Sequence, residues 1–426
     1  MLSTILLFMC IILAILVIYS RRKEPFIETI QDYDYPLPKE KIALFPLSNR
    51  DDSKLFVYES SKTKHQIFKE LPALLPKNGL LIFNNTKVIP ARINLIKDSG
   101  PKIEVFLLKP IYGDLATQSI LTQDTESIWE CLVGNKKRWK ANEQIKRSIY
   151  IDAKEIILTF HWHDRTENLI KITWDEPIPF AEILDAVGQI PLPPYMDREV
   201  GAEDKNRYQT IFSKESGAVA APTASLHFSQ EVFIGLEKRG IKTLYLTLHV
   251  GAGTFLPVKE ENVQNHPMHR EQLIFSKEFI QNLQDHEGPY IPVGTTSLRA
   301  LESLYWAGVW LIEGLDIPET GLNIPKEFPY LPRNPLIQTK DSLEKVLTFM
   351  QLKGIQEWII STELLIMPGY QLRFCDAIIT NFHQPKSTLL VLVSAIIGDA
   401  WKQVYQEAIL QDYRFLSYGD ACLFFK

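Results

Sequence analysis

The pattern of hydrophobic and polar positions changes twice along the chain. Between residues 92 and 178, short alternating runs are separated by turn residues, and no long helical period is present. On either side, strand-like runs alternate with amphipathic helical segments, which is typical of α/β folds. We therefore predict a discontinuous α/β domain formed by residues 21–91 and 179–426, with a small all-β, barrel-like domain at 92–178 inserted in it. The strands of the inserted domain are predicted at 102–108, 128–133, 145–151, 155–162 and 169–174.

Residues 217–255 form the clearest single α/β unit. The first block is small and nearly uncharged, which suits backbone that approaches another part of the molecule closely. Ser229 is a favourable helix N-cap, and Gly240 is a favourable residue just past the end of that helix. The alternating run 241–250 then predicts a strand that leads into a Gly-rich loop at 251–254. Ligands of open α/β sheets bind at the carboxyl ends of strands, so a site is expected there.

Polar residues recur at the ends of predicted strands or in the loops that follow them. Thr295 and Thr296 belong to a Gly-Thr-Thr turn before a helix, which favours an anion but also fits ordinary capping. A histidine at a strand end is more often structural than catalytic, and both interpretations stay open here. The chain has no GxGxxG or GxxxxGK[ST] motif, so no known phosphate-binding fingerprint is present. The remaining strand-end or loop residues of interest are Asn84, His227, His249, Asn381 and His383.

The first twenty residues are almost wholly apolar and are followed by three basic residues. The length suffices for a single apolar helix across a membrane. Basic residues after the segment favour a cytoplasmic location for the rest of the chain, so we predict a candidate anchor at 1–20 in the inner membrane. The alternative is a start codon assigned too far upstream, with the true protein beginning near Ile30.

Composition narrows the function classes. The chain of 426 residues has a net charge of −5, so nucleic-acid binding would require a local basic patch. The four cysteines are scattered, which favours a reducing compartment and predicts neither a disulfide framework nor a zinc site. His266, His269 and Glu271 lie close in sequence without a further nearby ligand, so we expect no metal site. We take the chain to be a monomer, although composition does not fix the oligomeric state.

Several sequence blocks together resemble one family, the S-adenosylmethionine:tRNA ribosyltransferase-isomerases of queuosine biosynthesis. The blocks occur in the family's order from about residue 32 to the C-terminus. Each block alone is weak, but this number in order is specific. They include NNTKVIPAR at 84–92, IPLPPY at 190–195, RYQT at 207–210, GAVAAPTA at 217–224, TLHVGAGTF at 247–255, GTTSLRALE at 294–302, TNFH at 380–383 and SYGD at 417–420.

The resemblance implies a specific reaction. The ribosyl part of S-adenosylmethionine is transferred to the aminomethyl group of a 7-deazaguanine base at the tRNA wobble position and isomerised, which gives epoxyqueuosine-tRNA. Adenine and methionine leave. S-adenosylmethionine is then a co-substrate, and no permanently bound cofactor is expected. The implied fold is an α/β domain with an inserted β-barrel.

The sequence also departs from the family pattern. The family usually has Gly where Ser225 stands and Leu where Gln384 stands. The chain between Trp306 and Thr362 is longer than in typical members, and the apolar segment at 1–20 is foreign to a soluble tRNA enzyme. These features suggest a divergent paralogue of the family.

The chemistry assigns hypothetical roles. The sulfonium acidifies the adjacent C5′ hydrogens, so a base must remove one and an acid must protonate departing adenine. Histidine suits both roles, and we propose His227, His249 and His383 without assigning which is base or acid. The sulfonium favours an aromatic face or a carboxylate, as Phe228, Phe255 or Asp420 would supply.

The remaining candidates bind substrate. Arg299 with Thr295 and Thr296 suits the methionine carboxylate. A flipped-out base would stack on aromatic rings and be hydrogen-bonded by amides, and phosphates would need basic residues. The candidates for the base are Asn84, Tyr195, Tyr208 and Asn381, those for phosphates are Lys87, Arg92, Arg198 and Lys386, and further substrate-binding candidates are Thr223, Gly251, Gly253 and Thr254.

Two alternative functions compete with this prediction. The same chemistry could act on a free nucleoside or another small acceptor. The chain could instead be a non-catalytic, membrane-anchored RNA-binding protein. Retention of the three histidines and Asp420 argues against the second alternative, and finding them dispersed in the fold would favour it.

Overall fold

The computed structural model describes residues 28–111, 120–251, 258, 260–333 and 336–426. The predicted apolar helix at 1–20 lies outside these ranges, as do Gly253, Thr254 and Phe255. Within them, no single helix is long and apolar enough to cross a membrane. Two consecutive helices, bent by 112° at the break between them, meet the length and composition requirements only together.

The described residues form eighteen β-strands. They are Lys54–Glu59 (β1), Lys62–Ile67 (β2), Leu80–Asn84 (β3), Thr86–Val88 (β4), Arg92–Ile96 (β5), Lys102–Pro110 (β6), Glu126–Gly134 (β7), Ile145–Ile151 (β8), Lys154–Asp164 (β9), Leu169–Trp174 (β10), Glu215–Ala218 (β11), Lys242–His249 (β12), Glu271–Ser276 (β13), Tyr290–Pro292 (β14), Asn323–Ile324 (β15), Glu357–Thr362 (β16), Ala377–Asn381 (β17) and Ala421–Phe425 (β18).

Nine α-helices connect these strands in the described part of the chain. They are Leu71–Leu74 (α1), Phe180–Val187 (α2), Asp204–Arg207 (α3), Gln230–Lys238 (α4), Lys277–Gln284 (α5), Thr295–Ile312 (α6), Thr339–Lys353 (α7), Thr388–Ile397 (α8) and Ala400–Leu410 (α9).

The α/β part is organised by two sheets that meet edge to edge. A four-stranded sheet has the order β17-β18-β1-β2, and a six-stranded sheet has the order β14-β3-β12-β13-β16-β15. A parallel bridge between Val293 and Ile379 joins them, with the Gly294 N–H donating to the Ile379 carbonyl at 2.7 Å. Strands β12, β3, β14 and β17 therefore run parallel, and their carboxyl ends share one edge.

Both faces of this joined sheet are covered. Side chains alternate along β3, where Leu80 and Ile82 face one core and Leu81 and Phe83 face another. The first core contains residues of α5 to α9, and the second contains residues of α1 and α4. A strand buried on both faces has a continuous hydrophobic run, as β3 has.

The β-rich region forms a nearly closed, all-antiparallel sheet with the order β5-β6-β7-β10-β9-β8. Its two edge strands approach each other, and Arg147 Nη1 donates to the Asn94 carbonyl at 2.7 Å. The prediction of a mixed α/β fold with a barrel-like sheet is confirmed, and all five predicted runs are strands. Strand β5 was not predicted. The boundaries 92–178 stay a prediction. Helix α2, which begins just after them, also packs into the barrel core through Phe180 and Val187.

Candidate active site

A cleft opens at the shared carboxyl edge of the parallel strands, where α/β sheets bind ligands. Its volume, including the open mouth, is about 730 Å³. Three strand ends contribute to its wall: Val250 follows β12, Gly294 follows β14, and Asn381 ends β17. The opposite wall comes from the small, uncharged segment 220–224.

Two helices begin at this cleft. Thr295 and Thr296 open the 18-residue helix α6 and line the wall, and Gly294 before them has a φ of +93° that favours glycine. Ser387, the N-cap of α8, also lines the wall, and its Oγ accepts from Leu390 N at 3.2 Å. The first N–H groups of a helix lack intrahelical partners and carry partial positive charge. This side of the cleft therefore suits an anionic group.

His383 follows β17 and lines the cleft. Its Nε2 lies 2.9 Å from Thr380 Oγ1, its backbone N–H donates to the Tyr405 hydroxyl at 3.1 Å, and its carbonyl accepts from the Tyr35 hydroxyl. Burial lowers the pKa of His383 to about 3. The ring is therefore neutral at physiological pH and can accept a proton from a bound substrate.

A hydrogen-bonded chain leads from the cleft into the protein through Asn381. Thr223 Oγ1 donates to Asn381 Oδ1 at 2.8 Å, and Asn381 Nδ2 lies 3.2 Å from His227 Nε2. His227 Nδ1 lies 2.9 Å from Ser53 Oγ. Burial, followed by the charge of Arg414, lowers the pKa of His227 to about 3. His227 is thus neutral and positions the cleft amide rather than lining the cleft itself.

His249 lies behind the wall rather than on it. Its Nδ1 is 3.0 Å from Thr86 Oγ1, and its buried Nε2 has no hydrogen-bond partner among the described residues. A Cβ on Gly217 would stand 2.8 Å from His249 Cε1, so the glycine permits the close approach that its small neighbours predicted. Burial lowers the pKa of His249 to about 4.

Six of the predicted site residues therefore converge on the cleft. Tyr195 is among them, with its hydroxyl 2.5 Å from Ser417 Oγ. The six are Tyr195, Thr223, Thr295, Thr296, Asn381 and His383. The structure also places polar residues there that the predicted site did not include, namely Thr380, Gln384, Ser387 and Ser417. Thr380 and Ser387 had a usable sequence signal, since each lies at a strand end or helix start.

Other predicted residues do not line the cleft. The Asn84 amide bonds the backbone of Thr86 and Leu248, which ties β3 to β12. Phe228 packs against Phe68 and Phe83, so its ring is enclosed by aromatic neighbours. These side chains support the wall from within the core.

The remaining polar candidates are also engaged elsewhere. Arg92 lies on the barrel, 3.8 Å from Glu104, and Tyr208 is buried edge-on against Tyr418. Asp420 accepts from the backbone N–H groups of Lys54 and Arg414. Lys386 pairs with Asp34, Arg198 pairs with Asp204, Lys87 is exposed, and Gly251 is described but does not line the cleft.

Arg299 forms a buried ion pair with Glu271, with Nη1 2.7 Å from Oε2. Its Nε also donates to the Leu364 carbonyl at 3.2 Å. The pair links helix α6 to strand β13, next to the end of β12. Glu271 is thereby engaged by Arg299, and among the described residues no group of His, Cys, Asp or Glu is placed to hold a metal.

We expect Glu271→Gln to lower the free energy of unfolding by about 3 kcal/mol, because it leaves a buried guanidinium without its counter-charge. The measurement is urea unfolding of the two proteins. Arg299→Met in the same background should recover part of the loss. If Arg299 instead binds the methionine carboxylate, Arg299→Met alone would raise the Kd for S-adenosylmethionine and leave stability nearly unchanged.

Comparison with known proteins adds an independent observation. Residues 30–424 match the sequence profile of the family described as "Queuosine biosynthesis protein". A solved S-adenosylmethionine tRNA ribosyltransferase from Thermotoga maritima aligns over 92% of this chain and 99% of that chain, with 24% identity and a TM-score of 0.43.

Similar curated proteins are named S-adenosylmethionine:tRNA ribosyltransferase-isomerase. The Halothermothrix orenii protein is 37% identical and aligns over 92% of this chain and 99% of its own length. The Nitrosococcus oceani protein is 36% identical over 92% and 97%, and the Thermosipho melanesiensis protein is 35% identical over 93% and 99%. With a profile match from residue 30 to 424 and relatives aligned over nearly their full length, this chain belongs to the family of queuosine biosynthesis proteins.

Proposed function

We propose that the chain is an S-adenosylmethionine:tRNA ribosyltransferase-isomerase. It transfers and isomerises the ribosyl moiety of S-adenosylmethionine onto a 7-aminomethyl-7-deazaguanine base in tRNA, and it releases adenine and methionine. The observation that carries this proposal is the shared name of relatives that are 35% to 37% identical across nearly their whole length. The position of the cleft and its neutral histidine support it.

His383 is the proton-transfer group of this proposal. The positive sulfonium makes the C5′ hydrogens acidic, and a neutral imidazole at the cleft wall can take one of them. Burial lowers the pKa of His383 to about 3, so the neutral ring is a weak base that depends on the acidity of the C5′ hydrogen, and the protonated ring is a strong acid. It readily gives the proton up again, and departing adenine is the acceptor that the reaction offers. His383 thereby serves first as base and then as acid.

The other cleft residues bind the donor in this proposal. The amide of Asn381 is held by Thr223 and His227, so it presents a fixed donor and acceptor that suit the edge of adenine. The methionine carboxylate binds at the start of α6, where Thr295 and Thr296 offer backbone N–H groups and hydroxyls. His249 and Asp420 support the surrounding structure from behind the wall.

Adenine release tests the proposed function. The purified chain is incubated with S-adenosylmethionine alone, with tRNA carrying the aminomethyl-deazaguanine base, and with the free nucleoside. We expect adenine only with the modified tRNA. Release with the nucleoside but not with tRNA would transfer the assignment to a small acceptor. A folded chain that releases no adenine with either acceptor would contradict the proposal and favour RNA binding without catalysis.

The proposed reaction also bears on location and assembly. A tRNA substrate supports a cytoplasmic location for the chain, and we propose that the chain acts as a monomer. Anchoring through residues 1–20 stays a prediction. Fractionation of cells that express the full chain and the chain from Ile30 tests it, because an anchor predicts membrane association of the first protein only.

A further inference from the structure

A second, smaller crevice adjoins the cleft. Ser417 lines both, and His227 in the crevice wall contacts Asn381 in the cleft wall. Three arginines line the crevice, and a fourth lies beside an exposed phenylalanine at its rim. We call this set the arginine surface, and it consists of Phe45, Arg50, Arg198, Arg207 and Arg414.

The guanidinium groups of Arg50 and Arg207 contact backbone oxygens rather than carboxylates. Arg50 donates to the Asn206 carbonyl at 2.8 Å and to the Leu226 carbonyl at 3.1 Å. Arg207 donates to the Leu47 carbonyl at 2.6 Å. Carbonyls satisfy N–H donors but do not cancel the positive charge. The two cations also lie near enough for Arg207 to lower the pKa of Arg50, although burial is the larger cause.

The other two arginines do contact carboxylates. Arg414 Nη2 lies 3.7 Å from Asp420 Oδ1, a long contact. Arg198 pairs with Asp204 at 2.7 Å. Among the described residues, no carboxylate lies within ion-pair distance of Arg50 or Arg207, which leaves two guanidinium charges uncompensated on the arginine surface of a chain whose net charge is −5. This is the local basic patch that nucleic-acid binding by an acidic chain requires.

An exposed aromatic ring stands among these cations. Phe45 is 55% exposed, and the Arg198 guanidinium lies 4.4 Å from its ring centroid. Arg414 Nη1 donates to the Phe45 carbonyl at 3.3 Å, which fixes the backbone beside the crevice. Exposed aromatic rings next to arginines are the means by which proteins stack unpaired bases while they hold the backbone phosphates.

We propose that the arginine surface binds the anticodon loop of tRNA, with Arg50, Arg207 and Arg414 holding phosphates next to the nucleotide in the cleft and Phe45 stacking a neighbouring base. This inference rests on the proposed function, because it takes tRNA as the substrate. Ser417 lines both the cleft and the crevice, so the two spaces are continuous. The backbone of a nucleotide whose base enters the cleft would therefore lie at the crevice.

The test measures binding of an anticodon stem–loop RNA with the aminomethyl-deazaguanine base at the wobble position, by fluorescence anisotropy over a range of salt concentrations. Phe45→Ala should raise the Kd about tenfold, within the range for loss of one base–aromatic stack. Arg414→Gln keeps hydrogen-bond donors but removes a charge. The negative slope of the logarithm of the association constant against the logarithm of the salt concentration should therefore become shallower by about 0.7. Lys345→Gln, an exposed position on α7, is the matched control and should bind as the wild type.

The outcomes separate binding from folding and from catalysis. Melting temperature should be unchanged in Phe45→Ala and Lys345→Gln and modestly lower in Arg414→Gln, which removes the charge facing the buried Asp420, while S-adenosylmethionine affinity should be unchanged in all three variants. RNA affinity and salt slope equal to those of the wild type in both Phe45→Ala and Arg414→Gln would overturn the proposal. A parallel loss of S-adenosylmethionine affinity would also overturn it, because these residues would then only shape the cleft. Adenine release by the wild-type chain reports on the proposed function, so either proposal can fail alone.

Discussion

His383→Ala is expected to lower kcat for adenine release by about 100- to 10,000-fold, the range that general acid–base groups contribute. His383 is the one of the three predicted histidines that lines the cleft, and burial leaves it neutral and able to accept a proton. The substitution leaves the buried Thr380 hydroxyl without this partner, so the melting temperature of the variant is measured alongside its activity. The measurement is single-turnover adenine release at saturating S-adenosylmethionine and modified tRNA.

Two comparison variants sharpen this prediction. His383→Gln keeps a hydrogen-bonding side chain but cannot exchange a proton near neutral pH, so it should be nearly as slow as alanine. His163→Ala removes an exposed histidine on the barrel and should be fully active. Near-normal turnover in His383→Gln would contradict proton transfer by His383 and leave it only a positioning role.

Acid is expected to destabilise the folded chain strongly below about pH 6.5. Burial lowers the pKa of His227 and His383 to about 3 and that of His249 to about 4. In the unfolded chain these groups have pKa values near 6.5. Between pH 4 and 6.5 the unfolded chain therefore binds more protons, and stability rises with pH in that window. Each histidine changes the free energy of unfolding by about 1.4 kcal/mol per pH unit, and the three together change it by about 4 kcal/mol per pH unit.

Buried carboxyl groups act in the opposite sense. Burial raises the pKa of Glu302 to about 6, so the folded state gains stability as the pH falls through that value. Burial also raises the pKa of Asp420 and Glu28. We expect a net loss of about 2 kcal/mol per pH unit below pH 6.5.

Urea unfolding at pH 5, 6 and 7 measures this slope. A triple variant that replaces His227, His249 and His383 with glutamine should show a flatter dependence, because the carboxyl groups and the less deeply buried His161, His266 and His286, whose pKa values burial also lowers, are then the groups that titrate in this range. Stability that is constant between pH 5 and 7 in the wild type would contradict the neutral, buried state of the three histidines.

Local sequence features predicted the elements around the cleft well. Ser229 caps α4, with its Oγ accepting from Val232 N at 3.3 Å, and Gly240 follows the helix with a φ of +70°. The Gly294-Thr-Thr turn does begin a helix. Each of these features depends on hydrogen bonds or backbone angles within a few residues, so the sequence contains the information directly.

Features that depend on distant contacts were not predictable in the same way. The bridge between Val293 and Ile379 joins the two sheets through residues far apart in sequence. Arg299 was predicted to bind a carboxylate, and the carboxylate it meets is the chain's own Glu271 on a neighbouring strand. His249 occurs in a glycine-rich motif, but its ring turns under Gly217 because the side chain of a strand residue faces one side of the sheet or the other.

A structure of the chain bound to S-adenosylmethionine tests the central claim most directly, because that claim assigns the donor to the cleft at the shared strand ends. We predict the adenine ring next to Asn381, the methionine carboxylate at the start of α6, and the ribose C5′ within reach of His383. Donor bound at any other place, with the cleft empty, would contradict the assignment.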